Sequence, residues 1–264
     1  MENLQQFKPG NLVYDLFGYF LPGFFLLCLI IIDFDLGRIM EFYFKHNHTL
    51  KDIEKAGINY KLNYLFNFLT WNTDSEFKFT TLFILIVFCY LIGHVIAAIS
   101  SLVLETFLNK KILGLPSSNL LNKTSRNWFQ KIFMNYTKCF DHGFIDEFER
   151  VFILRFGSIA FKRSIYWLCF GELSMQHPVA FNRAMHFLSL YGFSRNVAAC
   201  FFIYSSGRLL LACCTHLDMT FYNMMINFCY IIIGIVMFKN YLKLYYRQCA
   251  EIYYQFYALR TLPT

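Results

Sequence analysis

The chain has 264 residues, 57% of them hydrophobic and only 16% charged, with a formal net charge of +7. A soluble domain of this length is about 25% charged, so the composition excludes an ordinary water-soluble globule. The 33 Phe and 18 Tyr point to lipid as the solvent for much of the surface, and the basic excess is too dilute for a nucleic-acid footprint.

Four windows reach the ~20 apolar residues that a helix needs to cross a hydrocarbon core. The first, residues 12–32, carries one charge, Asp15, with Pro22 and Gly23 inside it. It lacks a basic leader and an A-x-A-like cleavage site, so it reads as a span and not as a signal peptide. Residues 33–78 read as an extracytoplasmic loop, with six basic and seven acidic residues. Asn47 heads an N-H-T triplet there, a formal glycosylation acceptor that has meaning only on a eukaryotic secretory route.

The second span, residues 79–106, ends in "GHVIAAISSLVLE". On a helix, His94, Ala98, Ser101 and Glu105 share a face. Beside them run Gly93, Ala97 and Ser101, a small-residue ridge of the kind that lets helix backbones approach in lipid. A helix turned to its bundle's interior carries such a pair of stripes.

Residues 107–196 read as a cytoplasmic helical segment, with twelve basic against five acidic residues across Thr106–Asn196. Pro116 breaks the chain after span two, and Ser117, Ser118 and Asn119 are candidate caps for the next helix. Asp141 and Gly143 precede a helical run, and a further helix is expected across Phe161–Leu173. Pro178 can begin another helix. The third span, residues 197–217, carries Arg208, and the fourth, residues 219–238, carries no charge. No Gly or Pro interrupts Ile235–Leu262. One helix can therefore run from Met219 to Arg260, about 60 Å, with residues 239–264 as a cytoplasmic tail. Tyr241, Tyr245, Gln248 and Ile252 share one of its faces.

The basic segments belong inside, which puts both termini and the middle segment in the cytoplasm. His94 and Arg208 each lie twelve residues from the cytoplasmic ends of their spans, about 18 Å. Together with Ser101, Glu105, Asp15 and Ser205 they make up an expected intramembrane polar layer, with Arg208 pointing inward. Two readings stand. The polar residues are interhelical glue, worth about 0.6 kcal/mol per hydrogen bond, or they serve conduction, transport or catalysis. Arg208 favours function most, because a mid-bilayer cation costs at least ~2.5 kcal/mol.

The nine Cys include no C-x-x-C pair and read as reduced, mostly buried thiols, with no metal site. P-loop, dinucleotide, H-E-x-x-H and G-x-S-x-G motifs are absent. The acid–base candidates His94, Glu105, Asp141, His142, Glu172 and His177 have no partner fixed by spacing. No catalytic residue, cofactor or enzymatic activity is therefore expected. The expected fold is all-α: an integral membrane bundle of four transmembrane helices with a cytosolic helical extension, self-associating into a homo-oligomer through small-residue faces.

Five phrases occur in order: "YDLFGYFLPG", "YLIGHVIAAISSLVLE", "ILGLPSSNLL", "YGFSRNVAA" and "NYLKLYYRQCAEIYYQF". As a set they resemble a group of bacterial four-span integral membrane proteins with no assigned activity. The resemblance covers the membrane part and its edges. It implies a bacterial inner-membrane protein and carries no role to any residue. Three functions stay open: an effector or sensor module answering a cytosolic partner, by analogy with phage-defence membrane proteins; a housekeeping channel or transporter; and a membrane-embedded enzyme acting on a lipid-linked substrate.

Overall fold

A computed structural model describes residues 15–30, 75–121, 133, 140–158, 165–215 and 221–261. The expected extracytoplasmic loop up to residue 74, with Asn47, and residues 122–132, 134–139, 159–164 and 216–220 lie outside the described residues.

Every described element is helical. Helix α1 covers Leu16–Ile30 and opens with a wide turn over Leu16–Phe20, in which the Leu21 N–H reaches back to the Leu16 carbonyl. Helix α2, Ser75–Ser100, runs on without a break into a more loosely wound stretch, Ser101–Leu113. Then come α3 (Pro116–Leu120), α4 (His142–Phe156), α5 (Ile165–Gln176), α6 (Pro178–Thr215) and α7 (Phe221–Thr261).

Among the described residues, three helices, α2 with its extension, α6 and α7, are long and apolar enough to cross a membrane; the described part of α1 is shorter. Large apolar residues are exposed all along α2 from Phe79 to Phe107, on α6 at Leu209–Leu211 and on α7 from Phe221 to Val236. That belt is what a lipid-facing surface requires, because the core of a water-soluble bundle would bury these side chains.

Helices α6 and α7 form an antiparallel hairpin. Arg208 meets Asn223, Ser205 meets Asn227, Ser194 meets Asn240, Tyr191 stacks on Tyr245 and Arg183 pairs with Glu251. The partners run in opposite order along the two helices, so the register holds from end to end. Sequence reading ends the cytoplasmic segment at Asn196 and starts span three at Val197. The structure has no break there, since nothing between Pro178 and Thr215 stops a helix.

Beyond the belt, the second half of α7 packs against α3, α4 and α5 in an aromatic lobe. Phe148 and Phe152 of α4 are fully buried against Tyr253 and Phe256 of α7. Asp141 caps α4 by accepting from the Gly143 N–H, and Gly157 ends it at φ 85°. Pro116 opens α3 at its first position, where a missing N–H costs nothing. Asn119 lies inside α3. Its amide donates back to the Leu113 and Gly114 carbonyls and to the Tyr246 hydroxyl, each within 3.1 Å. Tyr253 adds a bond to the Ser117 carbonyl at 3.1 Å, so the 113–119 bend is fastened to α7 at two points.

Candidate functional site: a polar network between the helices

The network starts from a vacancy that Pro22 creates in α1. Proline has no N–H, so the bond that would close from residue 22 onto the Gly18 carbonyl cannot form. Asn196 of α6 supplies the donor: its Nδ2 lies 2.6 Å from the Gly18 oxygen. The Asn196 Oδ1 accepts from Ser100 Oγ of α2 and, at 3.3 Å, from Arg195 Nε. One turn further along, the Cys200 thiol donates to the Pro22 carbonyl at 3.5 Å. Asn196 is 1% exposed and Ser100 fully buried, so one side chain joins three helices away from solvent.

Close backbone approach makes this reach possible. A Cβ on Gly23 would overlap the Cys89 carbonyl, and one on Gly93 would overlap the Tyr19 carbonyl. Helices α1 and α2 therefore cross with main chain against main chain, and a methyl group on either glycine has nowhere to go.

Towards the lobe, Arg195 Nη1 forms an ion pair with Glu105 Oε2, and Ser101 Oγ approaches the same oxygen at 3.4 Å. Both charged side chains are mostly buried. Beyond them, Asn109 Nδ2 donates to the Tyr241 hydroxyl at 3.0 Å, and Tyr191 stacks on Tyr245 with ring centroids 4.9 Å apart. Burial pushes the phenols of Tyr241, Tyr245 and Tyr166 well above the usual range; the nearby Glu105 charge adds to the rise in each.

At the other end of the hairpin, Arg208 Nη2 donates to Asn223 Oδ1 at 3.3 Å, and its guanidinium lies 5.9 Å from the Tyr230 ring centre. Ser205, buried, donates to Asn227 at 2.8 Å.

Several expected site residues take other positions. The Ser100–Asn196 bond sets the register of α2 against α6. From it, His94 is six residues, about 9 Å, further along and Arg208 twelve residues, about 18 Å. The two therefore form no single layer. Arg208 lies seven residues from the end of α6, opposite the third residue of α7, near the hairpin's far end and away from its middle. The depth estimate set Asn196 level with Thr106, where span two ends; the Ser100–Asn196 bond sets it level with Ser100, six residues nearer His94.

His94 is exposed, against the inward placement expected of it. Its ring stacks on Tyr19 at 3.9 Å and meets Tyr90 edge-on at 4.5 Å. Ala98, on the same stripe, is exposed too. The buried face is rotated by about a residue and carries Gly93, Ile96, Ala97, Ser100 and Leu104. Gly93 and Ala97 thus pack as the ridge requires, while Ser101 is half-buried at its edge. Asp15 is exposed.

Residue-type reading passed over Asn196, Ser100, Asn109 and Asn227. A signal for Asn196 was present: a proline four residues after a helical glycine demands a donor from elsewhere. Among the described residues, no group of three or more His, Cys, Asp or Glu side chains converges as a metal site would.

Set against protein-family models, curated proteins and solved structures, the chain matches none of them.

Proposed function

We propose that the chain is a four-span bacterial inner-membrane effector or sensor module, with α1 as the fourth span and both termini on the cytoplasmic side. In this reading α6 and α7 couple the bilayer to a cytoplasmic lobe that meets a cytosolic protein partner or a second copy. One observation carries the reading: both helices run unbroken from the exposed apolar belt into the lobe. Rigid helices passing from one solvent to another transmit tilt or rotation directly, and the Gly18–Asn196–Ser100 and Glu105–Arg195 contacts hold α1 and α2 to the motion of α6. The form of this idea in which His94 and Arg208 line one ion path is set aside, because the two side chains lie at different depths and contact different helices.

The test is inducible expression with a membrane-potential dye, alongside reporter fusions after Thr264 and within residues 45–60. Expected are a cytoplasmic C-terminus, an external loop, and growth arrest with depolarisation that Asn196→Leu abolishes. Conductance or uptake without growth arrest turns the assignment to a channel or transporter. Turnover of a lipid-linked substrate that depends on the exposed His94 turns it to an enzyme.

A further inference from the structure

His94 is exposed on α2 in the middle of the apolar belt. Along the helix it lies fifteen residues from Phe79 and thirteen from Phe107, about 22 and 20 Å, too far for an imidazole to reach either edge. Among the described residues it makes ring contacts with Tyr19 and Tyr90 and no hydrogen bond. Polar side chains at mid-belt depth normally turn to protein, because hydrocarbon offers them no partner. This one turns outward.

Its neighbours form a row. Ile84, Val87, Leu91, His94 and Ala98 are all exposed, at spacings of three, four, three and four, which is the seam along which two helices pack side by side. The small-residue ridge expected to join copies of the chain is spent inside it: Gly93 lies against the Tyr19 main chain, and Ala97 is buried. We propose that a second copy of the chain docks on the His94 row of α2, with the two imidazoles meeting across a two-fold axis. The inference rests on the membrane reading above. A two-fold contact sets a residue near the axis against its own copy. An imidazole carries both a donor and an acceptor, so two of them satisfy each other. The row holds no charge and no other polar side chain, and a second copy brings the same row with the same single polar position. One polar residue in an apolar seam fixes its register. Ala98, one turn on, leaves room for the backbones to approach, and the Tyr19 stack holds the imidazole plane.

Site-specific photo-crosslinking of the full chain in cells tests this, with two differently tagged copies co-expressed. A benzophenone side chain at Leu91 or Ala98 should give a product at twice the chain mass that carries both tags. The same group at Leu210 or Phe228, exposed in the belt on α6 and α7, should not. Carbonate washing of the membranes keeps the two ideas apart. A chain released by carbonate ends the membrane reading and this inference with it. A retained chain with no product at Leu91 and Ala98 overturns the inference alone, as do equal products at all four sites or a product lacking the second tag. Energy transfer between labelled copies in liposomes then tests the imidazole. His94→Leu should weaken association at least about threefold, the worth of an average intramembrane hydrogen bond. His94→Gln loses the same ring stack but keeps a donor and an acceptor, so it should weaken association less; equal losses overturn the imidazole contact. The crosslinks need no change at His94 and stand even where these variants fail to accumulate.

Discussion

The two halves of the molecule differ in what fills their interiors. Along the apolar belt small and polar residues take many of the buried positions, Gly18, Gly23, Cys89, Gly93, Ala97, Ser100, Asn196, Ala198, Ala199 and Cys200, beside Leu29, Ile96, Val197 and Phe201. Phe83, Phe88, Leu91 and Phe228 face outward. In the lobe, Phe148, Phe152, Tyr253 and Phe256 are inside. The helical backbone is the same throughout; what differs is the solvent it suits. Where the surroundings are as apolar as leucine, burying leucine gains little, and helices associate through backbone approach and interhelical hydrogen bonds. Where the surroundings are water, removing aromatic area from solvent dominates.

Alkali should separate the halves most sharply. Tyr166, Tyr241, Tyr245 and Tyr253 all have phenols raised by burial. A group held protonated by the fold contributes stability that is complete below its unfolded value, near pH 10, and is lost as pH climbs towards the folded value. The share of tyrosinate absorbance owed to these four phenols should therefore rise only with a loss of helical signal above pH 10, and belt contacts, which bury few phenols, should outlast those of the lobe. Simultaneous loss of both halves would erase the distinction.

Phe152→Ala comes next, at about 3–5 kcal/mol, read as a lowered unfolding midpoint in denaturant. Gly93→Ala should cost about 1–3 kcal/mol or more by overpacking, because the added methyl meets the Tyr19 main chain, which a rotamer change cannot clear. Its readout is loss of the α1–α2 contact, measured by cross-linking between introduced cysteines. Arg195→Ala should cost about 1–2 kcal/mol, between the exposed and fully buried cases. Adding Glu105→Gln should recover part of that in a double-mutant cycle. The smallest effect is a gain. Gly171→Ala in the lobe and Gly207→Ala in α6 meet nothing within 4 Å, so each should stabilise by about 0.5–1 kcal/mol. These two controls show that the cost at Gly93 comes from the crossing and not from the loss of a glycine.

Much of this was legible from residue order alone. Apolar length and the absence of Gly and Pro after Ile235 are local properties, and the all-helical class and the long last helix follow from them. The pairing of His94 with Arg208 rested on setting Thr106 level with Asn196; the register is fixed instead by the Ser100–Asn196 bond, which neither span shows by itself. The face of α2 was read one residue off because His94 is polar, and polarity was taken for inwardness; stacking on Tyr19 gives that imidazole a place at the rim. The joining of α1 to α6 needed knowledge of which distant side chain meets a proline's vacancy, and spacing within one helix carries no such information.

That vacancy also bears on how the protein is made. The Gly18 carbonyl and its Asn196 donor are 178 positions apart, so the first hydrophobic helix leaves the ribosome long before its partner has been synthesised. In hydrocarbon an unmet carbonyl is costly. Until Asn196 arrives, the newborn helix must keep that oxygen wet or lean on the insertion machinery. Chains truncated before α6 should be held there and degraded, which makes one side-chain amide the signal that the first helix has met its partner.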